Sequence, residues 1–254
     1  QTTGIATNAA AITIDTVLPI ISSGAAATTV SGVATSAVVY DANATDNSGS
    51  TDANVTYSLT GADAAKFSIN AAGEVTFVAS PYHNAPTDAG ANNVYDINVV
   101  ATDVAGNAAT KAVAITVDNA ASVVTPDSAT HTYIENAAGL LVNSGITIAD
   151  VDSTTLTGAT VKISNGLTAG DALSFTSANG ITGSYNAGTG VLTLSGSATV
   201  AQYQTALQSV KYSSTSDTPD SISATRTLEW QVNDGSSLNN LSTLATSVVN
   251  VTAV

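Results

Sequence analysis

The chain contains no cysteine and no methionine, which excludes a disulfide framework and any thiolate metal site. Basic residues are almost missing as well. Lys66, Lys111, Lys162, Lys211 and Arg226 stand against nineteen acids, for a formal charge of −14 over 254 residues. A surface of that sign repels DNA, RNA and anionic lipid, so nucleic-acid and membrane-surface binding are disfavoured. Aromatic residues make up only 5%. Apolar burial must therefore rest on Val, Ile, Leu and Ala, a composition that suits β-sandwiches. No run of about 18 apolar residues occurs, so no segment reads as a membrane-spanning helix. No Gly-x-Ser-x-Gly elbow, His-Glu-x-x-His helix or P-loop is present, and the chain is not expected to be an enzyme.

What is present is alternation. The length suits two domains. In the first, Val38, Tyr40, Ala42 and Ala44 alternate with polar neighbours, as do Val55, Tyr57 and Leu59, then Val75 and Phe77. Tyr95, Ile97, Val99 and Ala101 follow, and Val113, Ile115 and Val117 close the series. Period two marks strands with one buried face. With a first strand near Ile20 to Val33, about seven strands over roughly 100 residues predict a two-sheet sandwich. Residues 1–18 read as the end of a preceding repeat and its linker, 19–119 as the first sandwich and 120–254 as the second. The missing initiator Met suggests an excised piece, with any signal or anchor outside it.

In the second domain Val161 and Ile163 alternate, as do Leu173 and Phe175. Ile222, Ala224, Arg226, Leu228, Trp230 and Val232 form the longest such run, and Gly188-Thr189-Gly190 reads as a hairpin turn. One stretch departs from the β rhythm. Val200, Tyr203, Leu207 and Val210 recur at helical spacing. Thr199 and Gln202 form a Thr-x-x-Gln capping box, which predicts a short helix over about 199–209 laid against the sandwich. His83 and His131 have no partner His or Cys nearby and read as loop residues.

The acids are not scattered evenly. Asp150 and Asp152 lie two apart at a strand end, where residues i and i+2 project to the same side. Asp234, before Gly235, ends another strand and can join them. Calcium takes six to eight oxygens from carboxylates, carbonyls and water, and such clustering without basic residues suits it. Asp15, in the stretch closed by Pro19, is a further candidate ligand.

Several motifs carry a resemblance. Asn54-Val55-Thr56-Tyr57-Ser58-Leu59, Phe67-Ser68-Ile69-Asn70, Gly73-Glu74-Val75-Thr76, Tyr95 to Asp103 and Val117-Asp118-Asn119 resemble a cadherin-type repeat. The version resembled is that of bacterial giant RTX adhesins secreted by type I systems. Tyr133-Ile134-Glu135-Asn136, Asp150-Val151-Asp152-Ser153, Leu156-Thr157-Gly158-Ala159, Ile181 to Tyr185, Ala201-Gln202-Tyr203 and Val232-Asn233-Asp234-Gly235 resemble a cadherin-like adhesin repeat related to the proteoglycan type. The resemblance implies an all-β chain of two tandem cadherin-like, Ig-like β-sandwich domains, the second with one short helix. It also implies Ca2+ at the ends of the repeats.

Carried over residue by residue, Asp46 and Asp103 face Asp15, and Asp118 and Asn119 occupy a shortened linker motif. They join Asp150, Asp152 and Asp234, while Glu135, with Asp171, faces a following repeat. Two departures stand out. Thr28 to Ala37 lacks the glutamate that the family places there, and Pro81-Tyr82-His83 replaces its Asp-aromatic-Glu motif. A full multi-calcium junction near Asn119 is thereby put in doubt; one ion or none is expected there.

The expected function is a calcium-stabilised structural extender of a bacterial surface adhesin, supporting cell adhesion or biofilm formation. It would be extracellular, on a Gram-negative cell surface, monomeric, with neighbouring repeats of the same chain as partners. The absence of cysteine fits a surface protein exported unfolded. The alternative is a module binding a cell-surface peptide or glycan, for which Tyr82, Tyr95 and Tyr185 are the loop-proximal aromatic candidates; Trp230 reads as core.

Overall fold

The computed structural model describes residues 15–46 and 55–254. The reading of residues 1–14 as a strand of a preceding repeat lies outside the described residues, as does the part of the Asn43 to Asn54 turn formed by 47–54. Among the described residues the chain is all-β apart from one α-helix and a short 3-10 turn at Ala64–Lys66. It divides into two compact units. The first comprises residues up to Thr29, Val33–Ser80 and Thr87–Val117. The second comprises Val30–Gly32, Pro81–Pro86 and Asp118–Val254.

In the first unit the strands are β1 (Ile20–Ile21), β2 (Ala26–Val30), β3 (Tyr40–Asp41), β4 (Ala44–Thr45), β5 (Thr56–Thr60), β6 (Phe67–Ile69), β7 (Glu74–Phe77), β8 (Val94–Thr102) and β9 (Ala108–Asp118). A four-stranded sheet of order β2-β9-β8-β5 and a three-stranded sheet of order β3-β7-β6 share one core, with β1 and β4 paired separately. Tyr95, Ile97, Val99 and Ala101 all point inward from β8 and are buried. The expected first strand is broken into β1 and β2. The reason lies at Ser23-Gly24, where the Tyr40 hydroxyl donates to the Gly24 carbonyl at 2.5 Å and lies 2.8 Å from Ser23 Oγ, holding the interruption in place.

Tyr95 also departs from the expectation. It is not a loop residue but 1% exposed. Its ring stands edge-on to Phe67 and Phe77 at 5.8 and 5.1 Å, within the range of favourable aromatic pairs.

The second unit holds β10 (Val123–Thr125), β11 (His131–Ile134), β12 (Leu140–Leu141), β13 (Thr147–Ala149), β14 (Thr155–Asn165), β15 (Asp171–Ser174), β16 (Thr182–Asn186) and β17 (Val191–Thr199). After these come α1 (Val200–Gln208), β18 (Lys211–Ser214), β19 (Thr225–Asn233) and β20 (Ala245–Thr252). A six-stranded sheet of order β11-β20-β19-β14-β17-β16 packs with a three-stranded sheet of order β12-β18-β15. Every named pair in the unit is antiparallel except β11 with β20. The Gly188 turn joins β16 to β17, with Asn186 opposite Val191.

The helix forms as its pattern predicts. Thr199 Oγ1 accepts from the Gln202 backbone N–H, and Gln202 Oε1 accepts from the Thr199 N–H, so two first-turn donors are satisfied reciprocally. Tyr203, Ala206 and Leu207 are buried. Gln204 and Gln208, one turn apart, serve the backbone of β13 and its approach. Gln204 Oε1 accepts from Ile148 N, and Gln208 Nε2 donates to the Ile146 carbonyl, both at 3.0 Å. His131 opens β11 rather than lying in a loop, and Nε2 sits 3.2 Å from Asp127.

Behind the core lies a buried charge that the sequence pattern does not announce. The run from Ile222 becomes a strand only at Thr225, and Ile222 is 71% exposed. Arg226 is fully enclosed. Its Nε donates to Asp171 Oδ2 at 2.6 Å, and its terminal nitrogens reach Thr168 Oγ1 and the carbonyls of Ser223 and Pro219. Tyr212 donates to Asp171 Oδ1 at 2.6 Å, and its ring lies 5.9 Å from the guanidinium. Asp171, expected beside Glu135 as a metal ligand, is instead consumed by this pair. Arg226→Met should destabilise the chain by about 3–5 kcal/mol, because it strands a buried carboxylate. Asp171→Leu combined with Arg226→Met should cost less than the single change. Urea denaturation of the three proteins measures both.

Candidate metal centres

In the first unit Asp103 opens the turn that follows β8. Its carboxylate accepts from Asn107 N and Asn107 Nδ2, each at 2.8 Å. Burial works to raise the Asp103 pKa, but the Asn107 side chain and the backbone N–H groups of Asn107, Ala105 and Gly106 together hold it below the usual carboxylate value. Asn107 Nδ2 also donates to the Asp15 carbonyl at 3.3 Å. One oxygen each from Asp15, Asp46 and Asp103 lies within 4.8 Å of the others, with Asp46 and Asp103 buried and Asp15 exposed. Among the described residues this is the group of three acids that reaches such spacing.

In the second unit the acids meet differently. Asp150 Oδ1 accepts from the N–H groups of Asp152 and Ser153, and Oδ2 from the Ser122 hydroxyl at 2.6 Å. The acidic run is thus folded into a turn around the first carboxylate. Asp152 Oδ2 accepts from Ala120 N at 3.2 Å. One residue earlier, Asn119 Nδ2 donates to Asp234 Oδ2 at 2.9 Å, while Asp234 Oδ1 accepts from Ser236 N. Gly235 takes φ +84° between them, and a Cβ there would come 2.7 Å from the Thr157 methyl. Asp150, Asp152 and Asp234 do not reach the mutual spacing of the Asp15 trio; the segment Asn119-Ala120 links them. Asp118, at the end of β9, offers its carbonyl to Ser31 N at 2.8 Å.

Three oxygens in this region are buried without a hydrogen-bond partner: Asn119 Oδ1, Asp152 Oδ1 and Ser236 Oγ. Asn119 is 0% exposed. Among the described residues the ion pairs are His131–Asp127 and Arg226–Asp171, so no basic side chain balances Asp150, Asp152 or Asp234. Oxygen-only donors with vacant lone pairs fit a hard divalent cation. Burial raises the Asp152 pKa. The Ser31 hydroxyl and Ala120 N–H pull it back, and the Asp150 carboxylate pushes it up again.

Glu135, at the end of β11, stands apart from both groups. It is buried and accepts from Asn136 Nδ2 at 3.3 Å and from Val254 N at 3.0 Å. The aromatic candidates fare unevenly: Tyr95 is core, the Tyr185 hydroxyl is tied to the Asp171 carbonyl, and Tyr82 alone of the three is well exposed. A groove of about 270 Å³ crosses the outer face of β14, β17 and β19, lined by Thr157, Thr160, Thr193, Gln231 and Leu241 among others, with no aromatic ring. No described helix is long and apolar enough to cross a membrane.

No family model matches the chain. A stretch of 133 residues, 50% of the chain, is 37% identical to halomucin of Haloquadratum walsbyi, and the chain spans about 1% of that protein's length. Solved structures that the chain matches include mouse cadherin-23 EC22-24, at 14% identity and TM-score 0.38 over 92% of this chain and 66% of that one. Human protocadherin-24 EC1-2 gives 13% and 0.38 over 94% and 99%. Drosophila N-cadherin EC1-4 gives 13% and 0.38 over 92% and 49%.

The two pKa directions give opposite pH signs. Asp103, lowered, contributes stability present above an unfolded value of about 3.9 and lost as pH falls through its folded value. Asp152, raised, contributes a penalty that is full above its folded pKa and relieved as pH falls toward the unfolded value. Asp152→Asn should therefore raise the metal-free melting temperature at pH 7 and lose that advantage near pH 4, as read by calorimetry.

Proposed function

We propose that the chain is a calcium-stabilised structural extender segment of an extracellular adhesin, without catalytic activity. The observation that carries the reading is the pair of buried, unpartnered oxygens, Asn119 Oδ1 and Asp152 Oδ1, set among carboxylates that no basic residue balances. A buried acceptor left without a donor is costly, and so is the half-buried like-charge pair of Asp150 and Asp152. A divalent cation held by Asp150, Asp152, Asp234 and Asn119 removes both costs at once. Asp15, Asp46 and Asp103 would hold another in the first unit. When bound, the ion would supply positive charge that accepts the protein's oxygens as ligands, and no reaction chemistry.

The adhesin reading draws its support from the sequence motifs and the halomucin match. Its partners would be neighbouring repeats of the same chain, and the protein would act as a monomer at the cell surface, in adhesion or biofilm formation. The RTX class and the Gram-negative host rest on the sequence resemblance alone.

Extracellular calcium modules bind with dissociation constants of about 0.1–1 mM. At 10 mM calcium and an affinity near 0.1 mM, one site adds about 2.7 kcal/mol to folded stability. Calcium should therefore raise the melting temperature by several degrees, and the rise should vanish in Asp152→Ala combined with Asp46→Ala. Superimposable melts in 10 mM calcium and in excess EGTA would remove calcium from the account.

A further inference from the structure

Two short pieces of chain, Val30–Gly32 and Pro81–Pro86, belong to the second compact unit although they are remote from it in sequence. Neither contains an acid. Both close on the acidic turn. Asn84 Nδ2 donates to Ser153 Oγ at 2.7 Å, and Ser31 N donates to the Asp118 carbonyl. The Ser31 hydroxyl lies beside the Asp152 carboxylate and lowers its pKa. The pieces are also tied to each other, through His83 N to Ser31 Oγ at 2.9 Å and Gly32 N to the Pro81 carbonyl at 2.7 Å. Gly32 is required for this approach. It sits at φ +73°, and a Cβ there would come 2.7 Å from Val151 Cγ2, the side chain between Asp150 and Asp152.

Around this turn most carboxylate oxygens are already engaged. Both oxygens of Asp150 and both of Asp234 accept hydrogen bonds, as does Asp152 Oδ2. The buried acceptors left vacant are Asn119 Oδ1, Asp152 Oδ1 and Ser236 Oγ. Three vacant oxygens, completed by shared carboxylate lone pairs, carbonyls and water, can begin one shell of six to eight ligands. They cannot begin two. The groups arriving from the two remote pieces are a hydroxyl beside Asp152 and an amide N–H on Ser153 Oγ, both neutral. Such groups brace the acidic turn; they do not add the negative charge that a second or third ion would require.

We infer that the acidic turn of the second unit takes a single divalent cation, with Ser31 and Asn84 as neutral positioning residues that fix the Asp150–Ser153 turn. This rests on the calcium reading above and adds to it the ion count and two residues outside the ligand set. Partners that orient metal ligands typically change affinity by tenfold or more when removed.

Direct calcium titration by calorimetry, in an Asp46→Asn, Asp103→Asn background that silences the first unit's trio, should give one ion per chain. In the same background Asn84→Ala and Ser31→Ala should each weaken the dissociation constant about tenfold and leave the stoichiometry at one. The metal-free melting temperature, recorded for each variant, separates the roles. A residue that only supports the fold would lower the metal-free melt and leave affinity untouched. Two or more ions per chain, or unchanged affinity in both variants, would overturn the inference while leaving calcium in place. No heat of binding in this background would instead sink the calcium reading of the second unit's acidic turn, and no calcium heat in the unsubstituted chain would sink the calcium reading as a whole.

Discussion

The structure depends on how a chain with few positive charges tolerates buried carboxylates. Two solutions coexist. At Asp171 the chain commits its only arginine, wraps it in carbonyls and a hydroxyl, and leaves the pair complete. At Asp150, Asp152 and Asp234 it commits backbone N–H groups, Ser122 and Asn119, and stops short, with oxygens still open. The first arrangement is closed and needs nothing further. The second has negative charge and coordination capacity in excess, which a dissolved divalent ion can neutralise. The contrast within one unit separates a structural acid from a candidate ligand more sharply than burial alone, since Asp171 and Asp234 are both buried.

Much of the framework is legible in the residues. Strict alternation through Tyr95–Ala101 and Val113–Val117 marks the two long strands of the first unit, and β8 and β9 lie there with those positions inward. The capping box and the three-four spacing of Tyr203, Leu207 and Val210 locate α1 nearly to the residue, because local hydrogen bonds and periodicity agree there. The Asp15, Asp46 and Asp103 grouping, drawn from motif resemblance, is also present in space.

What could not be read arises from long-range partners. Nothing near Asp171 in sequence signals that Arg226, fifty-five residues on, will enclose it. Arg226 does occupy an inward position of the alternating run, and a cation at such a position implies a buried acid partner, a signal that could have been used. Tyr95 sits one residue inside the start of β8, close to a loop in sequence, yet its place in the alternation already puts it in the core. Ser31, Asn84 and Ser236 carry no motif at all. Their roles come from chain segments that meet only once folded, and Gly32 matters through the Val151 side chain it must accommodate.

One feature of the second unit bears on how it can be made. The parallel partner of β11 is β20, the final strand, and β20 also pairs with β19. During synthesis, which proceeds from the N-terminal end, β11 therefore waits with an open edge until Ala245–Thr252 arrives, more than a hundred residues later. Closure over such a span is entropically slow. Vectorial delivery thus keeps the unit incomplete until its last stretch emerges, and then completes the six-stranded sheet from both neighbours together.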